Sequence, residues 1–431
     1  MKKVSDPAGP VSLKEAIGLC LKDDVYDMMK AKNIPAKKSE RKAVLVDRLF
    51  DAMNSLTAIE PYLLILSDAE ESALRQALMT KDFHFSGLDA FPILETAAYV
   101  YWDEDEEVFF VPQEVADLYK KATRRVGWKN RHHQRQWLFS CVMTACMLYA
   151  ITPFEVFMEL LKKDPKCQIK MEDIGKELLT LPQDVAGIKL VAEPHMILAE
   201  ALIPFLPDIW KMQGDKPFYI PTYSEIVEGP SLWIGDTDEG DDLMDFLADT
   251  CGMEEDDAWL MMFNLGMMLS TNTPATAVLT HVMNEVPMQR KDFDEFFRLF
   301  AEFNNNTRNM QNRGFTPNEM KIIAERDKHE FPNTHVWNND KDDAPKGGRR
   351  SKIHAVKNKP LPEIETFVPT YADILGMAAK GDNDADDMGD NDDTPSAEAK
   401  EKKADTQKKS KKKMASVTAL DDYKKRKKPK K

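Results

Sequence analysis

The sequence predicts a mainly α-helical protein with an N-terminal helix-loop-helix, a small winged-helix-like unit containing a β-hairpin, a helical core and a disordered C-terminal tail. Apolar residues recur every three or four positions through most of the chain up to about residue 338. A strand–turn–strand pattern lies near residue 100, and the composition becomes polar and charged after Asn339. The predicted regions are 10–55, 59–122, 126–338 and 339–431.

The general composition favours a protein of the reducing cytosol. The 431 residues include five scattered cysteines and no Cys-x-x-Cys pair, so neither a disulfide framework nor a cysteine zinc site is expected. No segment resembles a signal peptide, and no apolar run approaches the ~18 residues that a membrane span needs. We therefore expect a cytoplasmic protein that makes no membrane contact and needs no cofactor.

The charge of the chain is unevenly distributed. The net charge is −14, but residues 400–431 carry 15 Lys and Arg against 4 Asp and Glu, a net of +11. The rest of the chain therefore carries −25. Such a body repels a nucleic-acid backbone except where basic residues are concentrated.

Residues 22–54 predict two helices joined by an extended loop. Pro35 ends the first helix, because the residue before a proline disfavours the helical region, and Ser39 can cap the second helix. Residues 30–48 have a net charge of +5. Their basic residues are Lys30, Lys32, Lys37, Lys38, Arg41, Lys42 and Arg48. This loop indicates either phosphate contacts with a nucleic acid or a packing and protein-binding module with a solvated basic loop.

Residues 59–122 form the predicted winged-helix-like unit. "SDAE" at 67–70 is a capping box, Asp89 can cap a short helix, and Pro112 begins another helix after the hairpin "AAYVYW", "DEDEE", "VFFV". The hairpin turn is acidic, and residues 81–119 carry a net charge of −9. A wing of this sign repels DNA, so a structural or protein-contact role is favoured.

Residues 120–135 have the opposite charge and no acidic residue. Their basic residues are Lys120, Lys121, Arg124, Arg125, Lys129, Arg131 and Arg135, with Trp128, His132, His133 and Trp137 between and after them. This mixture suits phosphate contact and base stacking. The alternative is a connection whose basic side chains pair with the acidic unit before it.

The remaining core up to residue 338 predicts several further helices. A long buried helix covers "HQRQWLFSCVMTACMLYA" from residue 133, and "TPFE" at 152–155 is a second capping box with Pro153 at the first helical position. Later helices are expected at about 192–206, 254–270 and 291–312.

The stretch "EFNNNTRNMQNRGFTPNEM" at 302–320 predicts a corner between two helices. Phenylalanines at 293, 296, 300 and 303 make an apolar stripe, and a polar stripe follows at Asn304, Arg308 and Gln311. Gly314 suits a left-handed helix end, and Thr316, Pro317 and Glu319 suit the start of the next helix. The alternative to a purely structural corner is a small polar pocket for a ligand or peptide, to which Asn305 and Thr307 would also belong.

The residues just described carry a resemblance. "NNNTRNMQNRGFTPNEM" at 304–320 and "MTACMLYAITPFEVFMELL" at 143–161 resemble two blocks of uncharacterised Firmicutes proteins. Residues 22–54 are similar to the Rho-terminator N-terminal (SAP-like) motif that such proteins can carry, and the three stretches cover about a third of the chain. Many relatives end in a zinc module like that of the SecA C-terminus, but this tail has no cysteine, so zinc binding is not implied. The resemblance implies an architecture and no activity.

The tail contains an acidic tract and then a lysine-rich end. The tract has calcium-loop spacing at Asp382, Asp384 and Asp386, but Asp387 stands where the loop needs glycine, so a solvated spacer is expected. The lysine-rich end is typical of a nuclear localisation signal in a eukaryote, whereas in a bacterium it indicates a phosphate-seeking arm for RNA, the ribosome or DNA. The alternative is attraction to the chain's own acidic residues. Its last basic cluster includes Lys424, Lys425, Arg426, Lys427 and Lys428.

The sequence contains no phosphate-binding glycine loop, no HExxH and no GxSxG, so an enzyme is not expected. The leading hypothesis is a non-enzymatic protein that binds RNA, the ribosome or DNA through the basic segments 30–48, 120–135 and 400–431. The alternative is an adaptor that holds a protein partner at the corner between Asn304 and Glu319.

Overall fold

The computed structural model describes residues 10–330 except Leu88, Asp89, Asp105, Glu193, Pro194, 230–236, Asn272 and Pro287. The described part is mainly helical with little strand, which confirms the predicted fold class. These residues all belong to one compact unit of the chain. The tail and the predicted cap Asp89 also lie outside the described residues.

The N-terminal region folds as three helices around a small apolar core. They are α1 (Leu13–Leu19), α2 (Lys22–Ala31) and α3 (Lys42–Met53). Val25 and Met29 on α2 pack with Leu45 and Leu49 on α3, as the apolar spacing predicted. The predicted cap Ser39 is wrong, because α3 begins after Arg41 with no side-chain cap. The preceding residues form a turn instead, in which Glu40 accepts the Lys37 amide N–H at 2.6 Å.

The next region contains the predicted hairpin and one further strand. Its elements are α4 (Leu56–Leu63), α5 (Asp68–Ala77), β1 (His84–Phe85), α6 (Pro92–Thr96), β2 (Tyr101–Asp103), β3 (Val108–Phe110) and α7 (Gln113–Thr123). The three strands form an antiparallel sheet in the order β1-β3-β2, with Phe110 opposite both His84 and Tyr101. The strand β1 was not predicted, because two residues leave almost no alternating pattern.

The predicted "SDAE" capping box is only half formed. Ser67 does cap α5, accepting the Glu70 N–H at 3.1 Å. The Glu70 side chain does not return to Ser67. It turns into the core, where one oxygen accepts the N–H groups of Ile93 and Leu94 at 3.1 and 2.9 Å.

A second sheet follows the long helix, and the sequence did not predict it. The elements are α8 (Trp128–Leu148), β4 (Ile151–Pro153), α9 (Phe154–Leu161), a 3-10 turn (Met171–Asp173), α10 (Ile174–Leu179), α11 (Gln183–Ala186), β5 (Ile188–Val191) and β6 (Met196–Ala199). The sheet is antiparallel with β6 in the middle. The helix predicted at 192–206 is therefore wrong, because β6 is a short apolar run whose periodicity does not distinguish strand from helix. The predicted capping box at 152–155 is wrong for a related reason, since Thr152 and Pro153 belong to β4.

The last described region is helical, and it completes the corner at 302–320. Its elements are a 3-10 turn (Glu200–Phe205), α12 (Leu206–Gln213), α13 (Tyr223–Glu228), α14 (Asp238–Asp245), a π-helical turn (Phe246–Thr250), α15 (Glu255–Ser270), α16 (Ala275–Glu285), a 3-10 turn (Arg290–Asp292), α17 (Phe293–Asn306), a 3-10 turn (Met310–Asn312) and α18 (Pro317–Glu330). The helix predicted at 254–270 is confirmed as α15. The helix predicted at 291–312 stops at Asn306, because Thr307 has extended backbone angles and its hydroxyl donates to the Phe303 carbonyl at 2.8 Å. The residues of the predicted polar stripe therefore do not lie on one helix, since Asn304 belongs to α17 and Arg308 and Gln311 follow it.

The apolar side chains of the described residues form three clusters. The largest joins the N-terminal helices, the first sheet and α8, and a second lies among α14–α17, where Phe296, Phe300 and Phe303 are buried as predicted. The third lies between the second sheet and α12. Within the described residues, no helix is both long enough and apolar enough to cross a membrane.

Candidate nucleic-acid interface

The helices α2 and α3 begin at the same end of the N-terminal motif. The Lys22 ammonium donates to the Lys38 carbonyl at 2.6 Å, and the Lys42 ammonium donates to the Gly18 carbonyl at 2.6 Å. Near the opposite end, Arg48 donates to the Pro35 carbonyl at 2.6 Å. The loop thus returns along α2 and brings five cations together where the helices begin. We call this set the basic end: Lys22, Lys37, Lys38, Arg41 and Lys42.

The basic end has the electrostatics of an anion site. The first turn of α3 contains no acidic residue and has no side-chain cap, so its N–H groups and the helix dipole favour a negative charge there. Lys37, Lys38 and Arg41 are exposed. The nearby Glu40 is paired with Arg48 at 2.6 Å, which leaves Asp23 and Asp24 of α2 as the acids at this end.

Lys32 does not belong to the basic end, because it forms a buried ion pair within the protein. Its ammonium is 3.0 Å from Asp184 Oδ2 and 3.0 Å from the Tyr62 hydroxyl, and it lies over the Tyr62 ring. Burial lowers the pKa of Lys32, while Asp184 opposes that shift. The pair attaches the N-terminal motif to α11. Nothing near Lys32 in the sequence reveals this, because its partner lies 152 residues away.

The remaining basic residue of this segment, Lys30, is exposed in the last turn of α2. It therefore lies at the opposite end of that helix from Lys22. A single phosphate at the basic end would not reach it, because a helix of this length is about 15 Å long.

Trp128, His132 and Trp137 face the protein core, whereas His133 is partly exposed and its Nε2 lies 2.6 Å from an Asp164 carboxylate oxygen. Trp128 and Trp137 are 6% and 4% exposed, and the Trp137 indole N–H donates to the Leu161 carbonyl at 2.9 Å. His132 is buried and stacks on Trp128. These rings present no open face for base stacking, so the basic side chains alone remain for contact with a nucleic acid.

Several basic residues of this segment pair with carboxylates of the same chain. Glu60 holds both Arg125 at 2.6 Å and Arg131 at 2.8 Å, and Arg135 pairs with Glu177 at 2.6 Å. Glu60 belongs to the predicted region 59–122, so these contacts favour the pairing alternative for two of the arginines. Arg124 and Lys129 are exposed.

The corner at 302–320 satisfies its polar groups internally. Thr316 and Glu319 form the predicted capping box, with bonds of 3.1 and 2.9 Å, and Pro317 begins α18. Arg308 donates to the Gly314 carbonyl at 3.0 Å and to Glu319 at 2.9 Å, and its guanidinium lies 3.5 Å from the centre of the Tyr219 ring. Gly314 has a φ of +85°, as its predicted left-handed role requires.

The other predicted residues on the helix side of the corner are partly or fully buried. Asn304 and Asn305 are half-buried in the last turn of α17, whereas Thr307 is buried. The neighbouring Asn306 bridges the corner, since it donates to Glu239 at 2.9 Å and accepts from Asn318 at 3.1 Å. Asn306 and Arg308 therefore both make hydrogen bonds across the corner.

The sequence did not single out the central residue of this corner, Arg313. It is 1% exposed and donates to the carbonyls of Gly214 and Lys216, while its guanidinium lies over the Phe218 ring at 4.4 Å. Burial lowers the pKa of Arg313 to about 10. Its backbone has a φ of +51° and follows the 3-10 turn that Asn309 caps. Arginine beside glycine is usually a surface residue, so the sequence did not indicate that Arg313 is buried.

Comparison with protein-family models, with curated proteins and with solved structures finds no match. Among the described residues, no group of three or more His, Cys, Asp or Glu side chains could hold a metal ion. The predicted contact residues Lys424, Lys425, Arg426, Lys427 and Lys428 lie outside the described residues.

Proposed function

We propose that this chain is a non-enzymatic nucleic-acid-associated protein and that its basic end contacts backbone phosphates. The observation that supports this most is the convergence of five cations on the N-terminal ends of two helices. Lysine and arginine side chains together with helix N–H groups are the groups that bind phosphates in proteins. Because such contacts do not involve base edges, binding would be largely independent of sequence.

The other basic segments would add charge to this contact. The arm at 400–431 would seek phosphates of RNA, the ribosome or DNA, as its net charge of +11 suggests. The acidic remainder of the chain would confine a polyanion to the basic surfaces. Residues at the basic end would then position the nucleic acid, and the arm would increase its affinity.

The adaptor hypothesis has less support from the geometry. A partner site needs polar groups that are open to the partner, whereas Arg308, Thr316 and Glu319 bind one another and the backbone of the corner. Replacing Arg308 would therefore disturb the corner itself. The two hypotheses still differ in salt dependence, because an adaptor would retain its partner at high salt and lose it on Asn305→Ala.

Neutralising the exposed part of the basic end is expected to weaken binding in a salt-dependent way. The variant Lys37→Gln/Lys38→Gln/Arg41→Gln leaves Lys22 and Lys42 intact, because those two hold the motif together. Affinity for a labelled RNA or duplex DNA should fall roughly tenfold at about 100 mM KCl. The slope of log affinity against log salt should decrease by roughly 2, since each lost phosphate contact removes about 0.7 to 0.9.

A charge-matched control separates this effect from the change in net charge. The variant Lys170→Gln/Lys211→Gln/Lys321→Gln removes three exposed lysines elsewhere on the described surface. It should retain the affinity and the slope of the unaltered chain. If both variants bind equally, the basic end is not the contact, and if the unaltered chain binds neither probe at about 50 mM KCl, the proposed function fails.

A further inference from the structure

The turn between α7 and α8 forms a second exposed basic surface. We define the α7–α8 corner by its exposed cations Lys120, Lys121, Arg124 and Lys129. Val126 at its tip is 100% exposed, and the following Gly127 has a φ of +75° and so much open space that a β-carbon added there would meet no atom within 4 Å. Because nothing packs against this tip, a polyanion could approach it without displacing any described part of the protein.

The start of α8 has a charge pattern opposite to the usual one. This helix is 21 residues long and has neither a side-chain cap nor an acidic residue in its first turn. Lys129 and Arg131 lie there instead, where the helix dipole disfavours a positive charge. An anion bound at the corner would be stabilised by the dipole and by these cations together.

A carboxylate of α4, Glu60, faces this corner. Its two oxygens bind Arg125 at 2.6 Å and Arg131 at 2.8 Å, so one side chain holds both arginines. The two arginines remain 49% and 39% exposed. A phosphate could therefore reach them, but it would have to compete with Glu60.

We infer that the α7–α8 corner is a second phosphate-contact surface for the same nucleic acid, and that Glu60 limits its strength by holding Arg125 and Arg131. The inference rests on the proposed function. The corner contacts the backbone without base stacking, because the tryptophans beside it are buried.

Both surfaces are connected through α4. Glu60 of α4 binds the corner, and Tyr62 of α4 binds Lys32, from which α2 leads back over about 15 Å to the basic end. A duplex of one helical turn is about 34 Å long. A probe of about 30 nucleotides or base pairs is therefore long enough to occupy both surfaces.

The test measures binding of the full chain to two labelled probes, a single-stranded RNA and a duplex DNA, between about 50 and about 200 mM KCl. The corner variant is Lys120→Gln/Lys121→Gln/Arg124→Gln/Lys129→Gln. Its control is Lys170→Gln/Lys176→Gln/Lys211→Gln/Lys321→Gln, which removes the same charge from exposed lysines elsewhere. Circular dichroism establishes that each variant is folded.

We expect the corner variant to lose roughly tenfold in affinity and roughly 3 in salt slope on both probes, because four cations are removed, while the control changes less than about twofold. Glu60→Gln should do the opposite and bind at least about threefold more tightly, because it releases two arginines. Equal affinities of the corner variant and its control would overturn the second surface. An unchanged affinity of Glu60→Gln would overturn the role of Glu60.

The outcomes also separate this inference from the proposed function. If the basic-end variant weakens binding and the corner variant does not, the proposed function stands and the second surface is wrong. If the full chain binds neither probe at about 50 mM KCl, both are wrong.

Discussion

Replacing Arg313 with alanine is expected to destabilise the protein by about 4 kcal/mol. The buried guanidinium donates to the carbonyls of Gly214 and Lys216, and each of these half-buried carbonyls would lose that donor. The substitution would also leave a cavity beside Phe218. Chemical denaturation at neutral pH measures the change in the free energy of unfolding.

The control for this prediction is Arg298→Ala. Arg298 is half-exposed on α17 and forms ion pairs with Glu295 and Glu302 at 2.8 and 2.9 Å. Exposed pairs of this kind contribute little, so the control should change the unfolding free energy by less than about 1 kcal/mol. Similar changes in unfolding free energy for the two variants would show that Arg313 does not stabilise the corner at 302–320.

The second large effect concerns Glu70 and depends on pH. Its carboxyl is 1% exposed, and burial raises its pKa from 4.5 to about 8, although the N–H groups of Leu94 and Ile93 oppose the shift. Between these two values the folded protein keeps a proton that the unfolded chain has released. Stability therefore falls as pH rises through this window, by at most about 5 kcal/mol from this one group.

Glu70→Gln is expected to remove this dependence. Glutamine keeps the oxygen that accepts the two N–H groups and cannot ionise, so the variant should match the unaltered chain near pH 5 and exceed it by several kcal/mol near about pH 9. Denaturation curves over this range test the difference, with the exposed Glu172→Gln as a control. Parallel pH profiles for the unaltered chain and Glu70→Gln would mean that Glu70 is ionised without cost in the folded protein.

The helices could be predicted from the sequence where one face is buried and the ends carry local signals. The helix α15 and the start of α18 are examples, since Thr316, Pro317 and Glu319 act within four residues of one another. The second sheet could not be predicted, because β4 and β6 are runs of three and four residues that are buried throughout and show no alternation. They become strands through pairing, and β6 pairs both with β4, more than forty residues away, and with β5.

The candidate site was likewise predictable from the sequence only in part. The basic character of residues 30–42 was visible in the sequence, but its arrangement was not. In the folded protein Lys37, Lys38 and Arg41 lie near Lys22. Lys32 does not belong to this surface, because it forms an ion pair with the distant Asp184. The buried environment of Arg313 depends on Gly214, Lys216 and Phe218, about a hundred residues earlier, so no local pattern could indicate it.

Crosslinking shows whether nucleic acid contacts the basic end. The native full chain would be irradiated with bound nucleic acid, and the crosslinked peptides would be mapped by mass spectrometry. We expect crosslinks in residues 37–42 that disappear as salt is raised and in the variant Lys37→Gln/Lys38→Gln/Arg41→Gln. Crosslinks confined to the corner at 302–320, or a complete absence of crosslinks at low salt, would contradict it.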